Sequence, residues 1–316
     1  MNKVLITGGA GFIGAALTRQ LVAQGVARPA VFDIAAPGGR LAGVLDRIEY
    51  IRGDLGNFSH VLAAVKQSRP EAIFHLGALL STPSDDDPPS ALHANILGTF
   101  HVLEAARLFD VPQVVFASSV ATYGRDIQTT VIDDVTLQRP ELFYGVTKVF
   151  GEHTGLFFRR KYGLDFRGVR FQSIVGPGVR TMGVDHYTSW AIEESALGRP
   201  FTIWVEPRTR IPVIYYKDAA LALQKLSAAP REQIKTINYL LAGVTPVASA
   251  GELADLVRAR IPGAQIAFSP NPDLQAVIDK FLRPMDERGA REEWGWQCTY
   301  DQERIVEDFL AELGRG

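Results

Sequence analysis

Residues 2–14 read Asn2-Lys3-Val4-Leu5-Ile6-Thr7-Gly8-Gly9-Ala10-Gly11-Phe12-Ile13-Gly14, and this stretch decides the fold. A short apolar run over 4–6 enters a turn with glycines at 8, 11 and 14, and a helical pattern begins at Phe12. A backbone turning this sharply from strand into helix brings its amides close to a phosphate, whose charge is stabilised at the helix N-terminus. Such turns occur in α/β proteins of many functions, so the surrounding pattern has to decide. Ile13, Ala16, Leu17, Leu21 and Val22 fall at helical spacing over 12–25, and a second apolar strand over 30–32 ends on Asp33. An acid about twenty residues past the glycines is the hydroxyl acceptor for the adenosine ribose of a dinucleotide. A carboxylate there accepts from a 2'-hydroxyl and repels a 2'-phosphate, which makes NAD the expected cofactor rather than NADP. Arg40, seven residues further on, is the residue that would meet a 2'-phosphate instead.

A chain of 316 residues, 47% hydrophobic, is long enough for one large α/β unit or for a nucleotide domain with a smaller companion. A formal net charge of -2 offers no basic surface to nucleic acid or an acidic membrane. The single cysteine, Cys298, leaves no internal disulfide and fits a reducing compartment. No secretory leader pattern precedes the first strand, so a cytoplasmic location is expected. The apolar stretch over 4–26 is broken by five glycines and Arg19, and reads as strand, turn and helix rather than a membrane span. The six histidines show no metal-ligand spacing, and no metal is expected.

Apolar strands over 48–51, 72–76, 113–117 and 166–171 alternate with helical patterns over 59–67, 91–109 and 144–162. This alternation predicts a Rossmann-type α/β fold, a doubly wound parallel sheet. The rhythm changes near Gln172, where prolines and glycines separate shorter elements. The expected division is an NAD-binding domain over 1–172, rejoined by about 212–241, and a smaller α/β substrate-binding subdomain over 173–211 and 242–316. Thr82-Pro83-Ser84-Asp85-Asp86-Asp87-Pro88-Pro89 is expected as a solvated loop capping the next helix with Asp or Ser, or as a lid.

Binding a nicotinamide does not make an enzyme unless a proton acceptor stands beside the hydride path. Tyr144 and Lys148 lie one helical turn apart in Tyr144-Gly145-Val146-Thr147-Lys148, so their side chains share a face. A phenol of pKa about 10 is a poor base at neutral pH, but a neighbouring ammonium and an adjacent nicotinium both favour the phenolate. Ser119 follows the strand over 113–117 at its carboxyl end, where ligands bind in parallel sheets. Its hydroxyl can donate to a substrate oxygen and orient the proton that Tyr144 takes. Ser118 is a neighbour with a backbone role.

These motifs resemble those of an extended short-chain dehydrogenase/reductase, of the NAD-dependent epimerase/dehydratase family, over essentially the whole chain. Thr7 to Gly14 is similar to that family's fingerprint, which makes Gly8, Gly11, Phe12, Ile13 and Gly14 cofactor contacts by resemblance. Gly53-Asp54-Leu55 is similar to its adenine contact, and His75-Leu76-Gly77-Ala78 to the strand end beside the nicotinamide ribose. Asn95, in Asn95-Ile96-Leu97-Gly98-Thr99, matches its helix-stabilising asparagine and is placed with Ser118 in the cofactor site. Ser119, Tyr144 and Lys148 match its catalytic triad, with serine and tyrosine twenty-five residues apart. A homodimer through 91–109 and 144–162 is also implied; the second helix carries Phe150, Phe157 and Phe158, which would line the interface or the core.

Within the family, Ala78-Leu79-Leu80-Ser81 and Glu293-Trp294-Gly295-Trp296 followed by Tyr300-Asp301 resemble the L-threonine 3-dehydrogenase branch. By that resemblance Ser81 is a substrate contact. The nucleotide-sugar branch places an asparagine after the strand following the triad, where this chain has Arg170-Phe171-Gln172-Ser173. That branch's phosphate-binding arginine falls on Ile211, with Arg210 one position away; Arg210, Arg180 and Arg283 are what remain to hold two phosphates. Where the threonine branch carries Thr-Thr-Asp-Tyr, this chain reads Val184-Asp185-His186-Tyr187. His186 is therefore either a substrate hydrogen-bond partner or a residue opening a helix capped by Asp185. Arg180, in Gly178-Val179-Arg180-Thr181, is the candidate partner for a substrate carboxylate. The expected activity is NAD-dependent oxidation of a secondary alcohol on a small polar substrate: an L-threonine-like amino acid, a hydroxy acid or a sugar acid. A nucleotide-sugar 4-epimerase with tightly held NAD is the alternative, and a nicotinamide-sensing protein without turnover the third reading.

Overall fold

The computed structural model describes residues 3–180, 183 and 185–314. The first half runs β1 (Val4–Thr7), α1 (Phe12–Ala23), β2 (Ala30–Asp33), β3 (Glu49–Arg52), α2 (Phe58–Ser68), β4 (Ala72–His75), α3 (Ser81–Asp86), α4 (Pro88–Ala91), α5 (Gly98–Leu108), β5 (Gln113–Ser119), α6 (Phe143–Tyr162) and β6 (Asp165–Phe171). The second half continues with β7 (Ser173–Val175), α7 (Tyr187–Ala196), β8 (Phe201–Ile203), β9 (Val213–Tyr215), α8 (Tyr216–Ala228), β10 (Asn238–Leu240), α9 (Ala250–Arg260), β11 (Ile266–Phe268), α10 (Pro272–Phe281), α11 (Arg288–Trp294) and α12 (Gln302–Leu313).

Seven strands form one parallel sheet in the order β10-β6-β5-β4-β1-β2-β3. The chain winds outward from β1 through β3, then restarts at β4 on the other side of β1 and winds the opposite way. This makes a Rossmann-type doubly wound α/β fold whose switch point lies between β1 and β4, and ligands of such sheets sit at the carboxyl strand ends there. Strands buried on both faces read as continuous apolar runs, and alternate residues serve opposite layers. Ile6, Phe74 and Val115 pack with Leu17, Leu223 and Leu226 on one side. Leu5, Ile73 and Val114 pack with Val61, Val102 and Phe158 on the other.

Helix α6 lies close against the sheet because two of its glycines face it. A Cβ on Gly151 would stand 2.5 Å from the Phe116 ring, and one on Gly155 would enter the ring of Phe166. The helix ends at Gly163, whose left-handed φ of 74° releases the chain after a basic last turn of Arg159, Arg160 and Lys161. The first turn of α6 is thereby set beside the end of β5.

Three local readings change. The segment over 82–89 is not a plain loop: it folds into α3 and α4, with Pro88 at the first turn of α4, where a missing amide costs nothing. Asp87 does cap that helix, accepting from the Ser90 amide at 3.1 Å. The helix read over 91–109 opens with a π-helical turn, Leu92–Leu97. Within the stretch over 212–241 expected to rejoin the first domain, β9 pairs with β7 in a small separate sheet, α8 follows it, and β10 joins the main sheet. Strand β10 pairs with β6, and β8 pairs with β11. Among the described residues no helix is long and apolar enough to cross a membrane.

Candidate active site

The glycine turn leaves the end of β1 at the switch point. Gly8 has a φ of 68°, and a Cβ there would stand 2.6 Å from the Gly77 Cα. A Cβ on Gly14 would run into the Gly8 carbonyl and stand 2.7 Å from the Gly9 Cα. Gly11 takes the N-cap position of α1 with no side-chain cap, so the first-turn amides at Phe12, Ile13 and Gly14 face outward as unpaired donors. Such a cradle fits the pyrophosphate of a dinucleotide. Asp33 stands beside it, one carboxylate oxygen accepting from the Ala10 amide at 2.9 Å and the other from the Ala35 amide at 3.0 Å. Both oxygens keep a lone pair for ribose hydroxyls.

Further along the groove, Asp54 accepts from the Gly56 amide at 2.8 Å, and Leu55 packs against Gly77 and Gly98. The Leu76 amide continues the sheet by donating to the Thr7 carbonyl at 3.1 Å, and Gly77 and Ala78 are half-buried beyond it. His75 is fully enclosed, with Nδ1 2.7 Å from Thr7 Oγ1 and Nε2 3.0 Å from Thr99 Oγ1. Burial, reinforced by the Lys148 cation, pulls its pKa down to about 3, so it is a neutral strut joining β1, β4 and α5.

At the end of β5, Ser119 stands close enough to the hydroxyl of Tyr144 to favour its phenolate, and the Tyr144 ring is buried in the first turn of α6. Ser119 Oγ also accepts from the Ala121 amide at 3.1 Å, which fixes its rotamer. Lys148 is buried one turn further on; its ammonium donates to the Ala117 carbonyl at 2.7 Å and lies 5.4 Å from the Tyr144 ring centroid. Burial pushes the Tyr144 pKa well above the ordinary phenol value, and Ser119 pulls the other way. Burial pulls Lys148 itself down to about 7, against the attraction of Glu152.

Two of the residues expected around the cofactor spend their polar atoms inside the protein. Ser118 Oγ donates to Glu152, a buried carboxylate also held by Arg170 at 2.6 and 2.9 Å and by Gln138 at 3.0 Å. Asn95 accepts from the Leu79 amide at 2.8 Å and donates to the Leu79 carbonyl at 2.9 Å and to Thr147 Oγ1 at 3.2 Å. Asn95 therefore staples the segment before Ser81 to α6. The Glu152–Arg170 pair escaped the sequence reading; its one visible signal was Glu152 standing one further turn past Lys148.

The expected substrate contacts divide. Ser81 is half-buried and opens α3. His186 is the N-cap residue of α7, without a side-chain cap from Asp185, and its Nδ1 is buried with no hydrogen-bond partner. Arg180 is bound to Glu193 at 2.6 Å, which holds its pKa above the ordinary value. Arg210 is bound to Glu252 at 2.8 and 3.0 Å and to the Val247 carbonyl, and Arg283 donates to the Leu282 carbonyl at 2.9 Å. Thr181 and Val184, quoted with these residues above, lie outside the described residues. Arg40 does not stand by the Asp33 carboxylate: its guanidinium lies 5.5 Å from the Phe12 ring centroid and donates to the Gly178 carbonyl.

A doubly wound sheet with an unpaired-amide cradle at its switch point, and a buried phenol and ammonium at the neighbouring strand end, defines a Rossmann-type nicotinamide-dependent oxidoreductase. The sequence profile of the NAD dependent epimerase/dehydratase family matches residues 4–242, and this chain belongs to that family. It uses NAD. A mitochondrial L-threonine 3-dehydrogenase of Bos taurus is 30% identical over 320 residues, spanning 98% of this chain and 82% of the relative. The fold is similar to that of an L-threonine 3-dehydrogenase from Trypanosoma brucei, at 29% identity and a TM-score of 0.89, over 100% of this chain and 98% of that one. It is equally similar to the holo form of a GalE-like L-threonine dehydrogenase from Cupriavidus necator, at 25% identity and a TM-score of 0.89, over 98% of this chain and 99% of that one.

Proposed function

We propose that this protein is an NAD-dependent dehydrogenase oxidising a secondary alcohol on a small polar substrate: an L-threonine-like amino acid, a hydroxy acid or a sugar acid. The observation that carries the reading is the placing of Ser119, the buried Tyr144 and the buried Lys148 together at the end of β5, next to the dinucleotide cradle. Bound NAD, with Asp33 and the first-turn amides of α1 holding its adenosine and pyrophosphate, supplies the hydride acceptor. Tyr144 Oη takes the substrate's hydroxyl proton. Ser119 Oγ donates to the same oxygen and fixes its position, and Lys148 places a positive charge behind the phenol. Burial brings the Lys148 pKa down to about 7, so this charge is fully present only below that pH, and the attraction of Glu152 helps to keep it.

A small substrate is favoured over a nucleotide sugar because Arg210 and Arg283 are already engaged by the protein, which leaves Arg180, itself paired with Glu193, to meet at most one carboxylate. Two phosphates in this site would find no free bidentate guanidinium among those three. Ser81 and the unpaired His186 Nδ1 are the proposed substrate contacts, with Arg180 shared between Glu193 and a substrate carboxylate. Residues 173–211 and 242–316 form the proposed substrate-binding subdomain. A reducing, cytoplasmic setting and a homodimer through α5 and α6 complete the reading; on that face Phe100, Val146 and Phe157 are each more than two-fifths exposed, whereas Phe158 is buried in the core.

The test is to mix purified protein with excess NAD and follow NADH absorbance while L-threonine, erythronate-type sugar acids and other small hydroxy acids are added in turn. NADH from one of them is the expected result. Silence across the panel, with NAD retained through purification, would overturn the dehydrogenase reading in favour of the 4-epimerase.

A further inference from the structure

We infer that Arg40 is a pyrophosphate-binding residue, a strap reaching across the cofactor groove from the loop after β2 to the loop after β7. The inference rests on the NAD site described above and adds a residue to it.

Position comes first. The ribose acceptor Asp33 lies at one end of the groove and Tyr144 at the other, so the pyrophosphate has to lie between them, at the first turn of α1. Arg40 passes over that turn. Its backbone is anchored by Arg19, which donates to the Arg40 carbonyl at 2.6 Å. Its guanidinium lies on Phe12, the first residue of α1, and reaches the Gly178 carbonyl. Gly178 presents that carbonyl in a left-handed turn, with a φ of 79°, while its amide donates to Glu193 at 3.0 Å.

Charge comes second. Three guanidiniums, Arg19, Arg40 and Arg180, act on this spot, and the single carboxylate acting on Arg40 is Glu193. Glu193 is already occupied by Arg180 and by the Gly178 amide. Like charges crowd here, and Arg180 and Arg19 join burial in lowering the Arg40 pKa. A guanidinium carries five N–H donors, and the described residues supply Arg40 with the Gly178 carbonyl alone. The cluster is therefore short of an anion, beside a helix N-terminus that is itself short of one. A diphosphate meets both deficits, and a forked guanidinium is the side chain suited to it. A latch between two loops would need neither the surplus charge nor the spare donors.

The experiment is calorimetric titration of the full-length protein and its R40M and R40K variants with NAD, ADP-ribose and adenosine, with thermal melting to check folding. R40M is expected to bind NAD and ADP-ribose about tenfold more weakly, a loss of about 1.4 kcal/mol, and adenosine within about twofold of wild type. R40K, which keeps the charge without the fork, is expected to fall between. Unchanged NAD and ADP-ribose affinity in a folded R40M variant would overturn the inference, and so would an equal loss for adenosine, which would place Arg40 at the nucleoside rather than the diphosphate. Failure of the wild-type protein to bind NAD at all is a different outcome, and would count against the cofactor site itself.

Discussion

Tyr144, the proposed proton acceptor, is a buried phenol whose environment favours the neutral form. Tyr144→Phe should therefore lower turnover by about 10²–10⁴-fold, the range for losing a general acid-base group. NAD affinity, measured by titration, should stay close to wild type; comparable turnover in the variant would sink the mechanism. Lys148 gives a prediction on stability. It ionises at about 7 in the folded protein and near its ordinary value of about 10.5 in the unfolded chain. Between these values the unfolded state binds more protons, so stability rises with pH. The cost of burying the cation is fully present below pH 7 and fades as pH approaches the unfolded value. Lys148→Met should accordingly melt higher than wild type at pH 6–7, by about 2 °C for each kcal/mol recovered. By pH 9 the gap in Tm should have narrowed; a gap independent of pH would contradict the assignment.

At the scale of elements, the strand-turn-helix from β1 into α1 is a backbone device rather than a side-chain one. Gly14→Ala drives a methyl group into the Gly8 carbonyl, which cannot move without shifting β1. A loss of about 1–3 kcal/mol follows from overpacking of this kind, with NAD binding falling alongside it. Gly43→Ala is the matched control, since nothing stands within 4 Å of its Cβ, and it should stay within about 0.5 kcal/mol of wild type in thermal melts. The elements most legible in the sequence were of this sort. Strands β1, β4, β5 and β6 are runs buried on both faces, and α1, α2 and α6 carry clear helical periods. The short helices α3 and α4 were hidden because Ser, Thr, Asp and Pro favour both loops and helix first turns, and only packing beneath α6 separates the two.

On the scale of the whole molecule, α5 and α6 present an apolar face outward while Phe158 turns into the core. If a second copy covers that face, Phe157→Glu should convert a dimer to a monomer in light scattering, with Tm little changed because Phe157 is 43% exposed in the single chain. A wild-type monomer would remove the proposal. Distant segments also meet in the site's support. Glu152 from α6, Arg170 from β6, Ser118 from β5 and Gln138 from the loop between form one buried network directly behind Lys148. Buried charges of this kind persist only when fully paired, which ties the helix carrying Tyr144 and Lys148 to strands β5 and β6.

By itself the sequence determined the parallel sheet, the glycine turn from β1 into α1, the acid Asp33 at the end of β2 and the nearness of Ser119, Tyr144 and Lys148. These are local patterns, set by backbone freedom at glycine, by alternation along strands and by the pitch of one helical turn. The tertiary structure alone decided what each charged side chain meets. It carried Arg40 to the Gly178 carbonyl, bound Arg180 to Glu193, turned Asn95 and Ser118 inward and left His186 Nδ1 without a partner. Long polar side chains reach several ångströms from their own backbone, and their partners come from segments tens to hundreds of residues away. Their pairing is fixed by burial and by competition for acceptors, which exist only once the chain has folded.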